Sequence, residues 1–166
     1  MYTNGNTSEL QLTNRNNSII PENHSVEDYS CARSFQNLLS AKPTVLVIDD
    51  DRKIIDAFYY LMESENCEMI SATNVDEVME RIEGKHLDLI ITDFMLETKS
   101  SIEIFTLIRK SHPEVPLVVM TGYPELISEK DVKNFGGNYL LTKPLELKRL
   151  RSVIRSCCNP LKISAY

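Results

Sequence analysis

Between Thr44 and Cys158 the chain alternates short apolar runs with longer stretches in which apolar residues return every three or four positions. TVLVI (44–48) is the first continuous run. Ile54, Ile55, Phe58, Leu61 and Met62 then follow the spacing of an amphipathic helix. Glu68–Ala72 fits a short strand, and residues 75–83 fit a helix with Val75, Val78, Met79 and Ile82 on one face. LDLIIT (87–92) is a second buried strand pattern, followed by helical spacing over 101–111 through Ile102, Phe105 and Ile108. PLVVMT (116–121), a weaker helix at 124–135, a strand at 139–142 and a helix at 146–158, with Leu147, Leu150, Ile154 and Cys157 inward, complete the series.

The pattern predicts five strands alternating with five helices. Near-continuous apolar strands need cover on both faces. Right-handed crossovers then place a parallel sheet between two helical layers. The expected fold is α/β, a flavodoxin-like doubly wound five-stranded parallel sheet of order 2-1-3-4-5, which needs no sixth strand.

Polar residues end these strands in a consistent way. The first strand runs into Asp49-Asp50-Asp51, the third into Asp93, the fourth into Thr121 and the fifth into Lys143. All stand at carboxyl ends, where open parallel sheets bind ligands. In the order 2-1-3-4-5 the first and third strands are neighbours, so Asp49, Asp50 and Asp93 converge at the switch point. Asp51 reads as the cap of the following helix.

Composition changes the picture mainly at the N-terminus. Residues 1–43 hold seven Asn, six Ser and three Thr without a sustained period, and residues 1–24 read as disordered. Within 25–40, Val26, Tyr29, Ala32, Phe35 and Leu39 recur at near-helical spacing, which suits either a short helix or a partly ordered linker. The organisation expected is an extension over 1–43, one domain over 44–158 and a tail over 159–166. The start of the chain has neither a basic segment nor an apolar core, so it is no signal peptide. No stretch approaches the roughly 18 consecutive apolar residues of a membrane span. The net charge of −6 argues against a general polyanion binder. Cys31, Cys67, Cys157 and Cys158 form no CxxC pair and have no histidine at zinc spacing, so free thiols in a reducing cytosol are expected. His24, His86 and His112 fall in predicted loops without ligand spacing and read as exposed or locally hydrogen-bonded.

Three carboxylates in one crevice need neutralising. Mg²⁺ suits them, since it is held by one or two carboxylates, keeps waters and often adds a phosphate oxygen. Lys143 adds a positive point charge and Thr121 a hydroxyl donor. Asp93, ionised at neutral pH, needs no general base to attack phosphorus. Together these residues are suited to carrying a phosphoryl group on a carboxylate.

VLVIDDD (45–51), DLIITDFML (88–96), VVMTGY (118–123) and LLTKPL (140–145) together resemble the receiver domain of two-component response regulators, over roughly residues 44–157. The resemblance implies that Asp93 is the phosphoacceptor, with Mg²⁺ held by Asp50 directly, by Asp49 mostly through water, by Asp93 and by the carbonyl of Met95. It implies that Thr121 is the switch hydroxyl, that Lys143 partners the phosphoryl group, and that the Lys143–Pro144 bond is cis. The sequence departs from the family at Glu97, where Pro is usual, at Ser101, where Gly is common, and at Leu140, where Tyr or Phe is usual.

The expected function is a stand-alone cytoplasmic receiver in a two-component phosphorelay, since only residues 159–166 follow the last helix. A histidine kinase or phosphotransfer protein would phosphorylate Asp93, and the phosphoprotein would bind a separate effector without turning over a substrate. Lys148, Arg149, Arg151 and Arg155 give the last helix a basic character: either a solvated face or a docking surface. In the family the helix 4–strand 5–helix 5 face is the usual signalling and dimerisation surface, so an effector and a second copy of the chain are the candidate partners. Nucleic acid is not expected, with four basic residues and no aromatic platform. A receiver-like binding module that ignores phosphorylation is the alternative, motivated by Glu97, Ser101 and Leu140. A haloacid-dehalogenase-like phosphatase shares the aspartyl nucleophile, threonine, lysine and Mg²⁺. However, Lys53 stands where that family has Thr or Val, and its late acidic pair is missing.

Overall fold

The computed structural model describes residues 41–96 and 99–158. The extension expected before residue 41, including the helix considered for 25–40, and the tail over 159–166 lie outside the described residues. So do Glu97 and the side chain of Ser101.

The elements are β1 (Thr44–Ile48), α1 (Arg52–Ser64), β2 (Glu68–Ala72), α2 (Val75–Ile82), β3 (Leu89–Asp93), α3 (Ser101–Ser111), β4 (Leu117–Thr121), α4 (Glu129–Asn134), β5 (Tyr139–Thr142) and α5 (Leu147–Cys158). Met95–Leu96 and Lys99–Ser100 add a two-residue antiparallel ladder after β3. The main sheet is parallel with the order β2-β1-β3-β4-β5, the doubly wound topology that the alternation predicts.

Side chains alternate across the strands and feed two cores. On one face Leu46, Ile48, Ile90 and Val119 pack with Val78 and Ile82 of α2, Ile104, Phe105 and Ile108 of α3, and Val132 of α4. On the other, Val45, Val47, Ile91 and Met120 pack with Phe58 and Met62 of α1 and Leu150 and Ile154 of α5. Each fully buried aliphatic side chain contributes about 2 kcal/mol from removal of apolar surface.

The helices start where side chains can accept from orphan N–H groups. Asp51 accepts from the N–H of Lys53 at 2.8 Å and Asn74 from that of Glu77 at 2.9 Å. Glu77 in turn accepts from Thr73, backbone and hydroxyl, at 3.0 and 3.2 Å. α1 ends at Glu65, with Asn66 in the left-handed region at φ 58°, a conformation asparagine tolerates.

Local structure differs from the sequence expectation at three places. The helix expected over 124–135 spans only Glu129–Asn134. Pro124 opens a turn in which the N–H of Leu126 donates to the carbonyl of Tyr123 at 3.0 Å, and the reciprocal pair Ser128–Asp131 sets the helix start later. The third strand spans Leu89–Asp93, starting two residues later and ending one later than the apolar run, with the Asp88 N–H still donating to the Thr44 carbonyl of β1 at 2.9 Å. Met79 and Leu147, expected inward, are 40% and 54% exposed. Val153, one position before Ile154, is buried and helps fill the inward face of α5.

Candidate functional site

The site forms where β1, β3, β4 and β5 end, and strand register places each member. Ile48 pairs with Thr92, so Asp49 and Asp93 stand one residue further along adjacent strands. Asp93 pairs with Met120, which puts Thr121 next on β4. Thr121 pairs with Thr142, and the Lys143 N–H continues the ladder to the Thr121 carbonyl at 2.7 Å.

Asp49, Asp50 and Asp93 each present a carboxylate oxygen, and the three oxygens lie within 4.8 Å of one another. Asp49 and Asp93 are buried and Asp50 half-buried. Lys143 Nζ donates to Asp49 Oδ2 at 2.8 Å and to Asp93 Oδ2 at 2.7 Å. Asp49 Oδ1 also accepts from the Asp51 N–H at 3.0 Å, and Asp93 Oδ1 from the Met95 N–H at 3.3 Å. Thr121 is wholly buried, and its hydroxyl oxygen accepts from the Tyr123 N–H at 2.9 Å. That bond leaves the hydroxyl's own proton for another acceptor.

Burial pushes the Asp49 carboxyl above its ordinary range, against the opposing pull of Lys143 and the Asp51 N–H. Burial would lower the Lys143 pKa, but the hydrogen bonds and charges of Asp49 and Asp93 outweigh it and hold the ammonium above the usual lysine range. The ion pairs are thus written into the electrostatics of both partners. Three carboxylates facing one ammonium leave an excess of negative charge. Hard oxygen donors so spaced suit a divalent cation such as Mg²⁺.

The candidate residues therefore meet: Asp49, Asp50, Asp93 and Lys143 in direct contact or close array, Thr121 on the next strand, and Met95 beside Asp93. The Lys143–Pro144 bond is cis, as the resemblance implies. Leu140 is half-buried against the α2–α4 core, while Tyr139 is 38% exposed on the edge strand, so no aromatic side chain occupies position 140.

The basic residues of α5 do not form one surface. Arg151 and Arg155 turn toward α1 and pair with Glu65, whose side chain is 4% exposed; Arg155 Nε donates at 2.6 Å. Arg149 turns the other way, to the Leu140 carbonyl at 3.3 Å and to Glu129 at 3.8 Å. Lys148 is exposed. The docking surface expected from all four thus keeps only Arg149 on the α4–β5 side, because helical spacing sets residues 151 and 155 on the α1 side.

Sequence reasoning missed Arg109 altogether. Its guanidinium donates to the carbonyls of Gly136, His112, Pro113 and Val115, at distances from 2.6 to 3.2 Å. It joins the end of α3 to the chain entering β4 and β5, at the amino-terminal end of these strands, opposite the end that carries the site. An arginine in a helical pattern carries no signal of such a role. His112 is hydrogen-bonded locally, to Ser111 and the Lys85 carbonyl, and His86 lies exposed beside Asp88. Among the described residues no helix is long and apolar enough to cross a membrane.

Known proteins resemble this chain in sequence and in fold. The response regulator protein PilR of Pseudomonas aeruginosa is 28% identical over 114 residues, which cover 69% of this chain and 26% of PilR. The alkaline phosphatase synthesis transcriptional regulatory protein PhoP of Bacillus subtilis is 24% identical over 121 residues, 73% of this chain and 50% of PhoP. The chain thus matches a quarter to a half of the length of these curated relatives. Among solved structures, a response regulator receiver domain from Clostridium thermocellum superposes with a TM-score of 0.65 at 25% identity, over 72% of this chain and 97% of that one. Residues 45–155 match the response regulator receiver domain itself. With the strand order, the acidic cluster and the lysine in place along that match, this chain belongs to the response regulator receiver domain family.

Proposed function

We propose that the chain is a phosphoacceptor switch of two-component signalling: Asp93 takes a phosphoryl group from a histidine kinase or phosphotransfer protein in the cytoplasm, and the modified domain changes its affinity for an effector. The proposed receiver covers residues 44–158. The observation that carries this reading is the seating of Asp93. Its carboxylate is buried at the end of β3, within 4.8 Å of two further carboxylates, and one of its oxygens is 2.7 Å from an ammonium.

In the proposed transfer, an Asp93 oxygen forms a bond to phosphorus as the bond from phosphorus to the donor's histidine nitrogen breaks. The carboxylate attacks as an anion and needs no base. Lys143 supplies its ammonium to a phosphoryl oxygen, and Thr121 turns its hydroxyl proton toward another. Asp49, Asp50, Asp93 and the Met95 carbonyl would hold Mg²⁺, which supplies positive charge for the incoming phosphoryl oxygens. The exchange of partners by Lys143 and Thr121 gives the domain two states with different surfaces, so a partner that prefers one shifts the population. Arg149, beside α4 and β5, is a basic contact available to an effector there.

Intact mass after incubation with acetyl phosphate and Mg²⁺ tests the proposal. Wild type should gain one phosphoryl group and Asp93→Asn none, with the variant still folded. A wild type that stays unmodified, and that shows no structural response to beryllofluoride, would sink it. The half-buried Leu140 at the position of the family's aromatic favours one rival, a module that binds its partner regardless of phosphorylation. Partner binding that survives Asp93→Asn unchanged would establish that rival.

A further inference from the structure

We propose that Cys67 and Cys158 form a redox pair that closes to a disulfide and staples the last turn of α5 to the entry of β2. Cys67 immediately precedes β2 and is buried, and Cys158 is the last residue of α5 and is half-buried. Both pack on the core between the sheet and the α1–α5 layer. Both line a cleft of about 280 Å³ with Pro43, Glu65, Ile154 and Arg155. Each thiol is close enough to shift the acidity of the other, and Cys67 Sγ lies 3.6 Å from the Glu65 carbonyl oxygen. Both are free thiols. Of the vicinal pair, Cys158 is the residue that lines this cleft with Cys67.

The oxidant required is a low-molecular-weight disulfide. The less buried Cys158 attacks it as a thiolate, the reagent's S–S bond breaks, and one reagent thiol leaves. The Cys67 thiolate then attacks the Cys158 sulfur of the mixed disulfide, and the second reagent thiol leaves. The protein loses two electrons and two protons, and the reagent becomes two thiols. Burial raises both thiols above their ordinary range, so exchange is slow and general thiol reagents find the pair poorly reactive. The bridge encloses β2 through α5 and would restrict the unfolded chain over that whole span.

The test is incubation of the folded full chain with oxidised glutathione, then acid quenching, alkylation, intact mass and non-reducing peptide mapping. Wild type and Cys157→Ser should lose two hydrogens, yield a Cys67–Cys158 peptide, and melt several degrees higher than when reduced. Cys67→Ser and Cys158→Ser should do neither. Should Cys67→Ser fail to fold, Cys158→Ser at the helix end supplies the control. A Cys157–Cys158 bridge, a link between chains, glutathione adducts alone, or a mapped bridge without a rise in Tm would overturn the proposal.

Discussion

Lys143 Nζ stands 2.7 Å from Asp93 Oδ2 and 2.8 Å from Asp49 Oδ2, so one ammonium from the end of β5 binds carboxylates at the ends of β3 and β1. The lysine side chain is 23% exposed and that of Asp49 only 1%, so bulk water screens these pairs poorly. Removing one partner of such a pair leaves buried charge uncompensated, which costs more than the pair contributes.

Lys143→Gln should therefore destabilise the domain by about 3 kcal/mol without Mg²⁺. Urea denaturation with and without Mg²⁺ checks this. The loss should shrink when the cation is present, because added positive charge then answers Asp49 and Asp93. A variant as stable as wild type would mean that water already neutralises the cluster.

Mg²⁺ should raise the melting temperature of wild type in proportion to its binding, up to about 2.7 kcal/mol at a hundredfold excess over Kd. Asp50→Asn should lose most of that gain while folding normally, since Asp50 is half-buried and lies outside the Lys143 hydrogen bonds. Thermal melts over a Mg²⁺ series read the effect directly. Equal gains in the two proteins would remove Asp50 from the binding set.

Glu65 anchors α1 to α5 through Arg151 and Arg155. Hydrogen bonding and charge from Arg155, aided by Arg151, hold its carboxyl below the ordinary value of 4.5, against the cost of burial. A depressed folded-state pKa stabilises above the unfolded value, and that stabilisation disappears as pH falls through the folded value. Glu65→Gln should cost about 2 kcal/mol at neutral pH. Its deficit should persist down to about pH 4.5 and close below it. Denaturation midpoints measured across that range would show a constant deficit if the carboxylate's charge were not the cause.

Arg109→Met should destabilise by about 3 kcal/mol, since several backbone carbonyls lose their donor at once. Arg109→Lys should recover little, because a point ammonium cannot span the fork-like set that a guanidinium serves. Gly136→Ala should also destabilise, by about 1–2 kcal/mol. Its φ is +81°, and an added Cβ would stand 3.0 Å from Arg109 Nε. Chemical denaturation ranks the three variants. Acetyl phosphate labelling should stay intact in each at temperatures where it is folded, because this junction is at the opposite end of the strands from the site.

What local pattern determined is whatever a strand or helix settles by itself. Apolar runs the length of a strand, spaced by helical periods, specify two-sided burial and hence a covered parallel sheet. Because ligands meet such a sheet at its carboxyl ends, Asp49, Asp50, Asp93, Thr121 and Lys143 were legible as one constellation before any coordinate. Asp51 was legible as a cap for the same reason, since its role is completed two residues away at the Lys53 N–H. The start of α4 was in principle readable too, through Ser128 and Asp131, but the apolar spacing of 124–135 masked it.

Tertiary structure decided the rest, because these interactions join residues that only the fold makes neighbours. Arg151 and Arg155 looked like part of a basic surface until α5 packed beside α1 and turned them onto Glu65, 86 and 90 positions earlier. Arg109 became a clamp only once α3, β4 and β5 brought four carbonyls to one guanidinium. Cys67 and Cys158 share no motif, and they line one cleft only because the end of α5 comes to the residue that precedes β2. Periodicity encodes which face of an element is buried; which partner that face meets is set by long-range packing, where each contact depends on all the elements being in place.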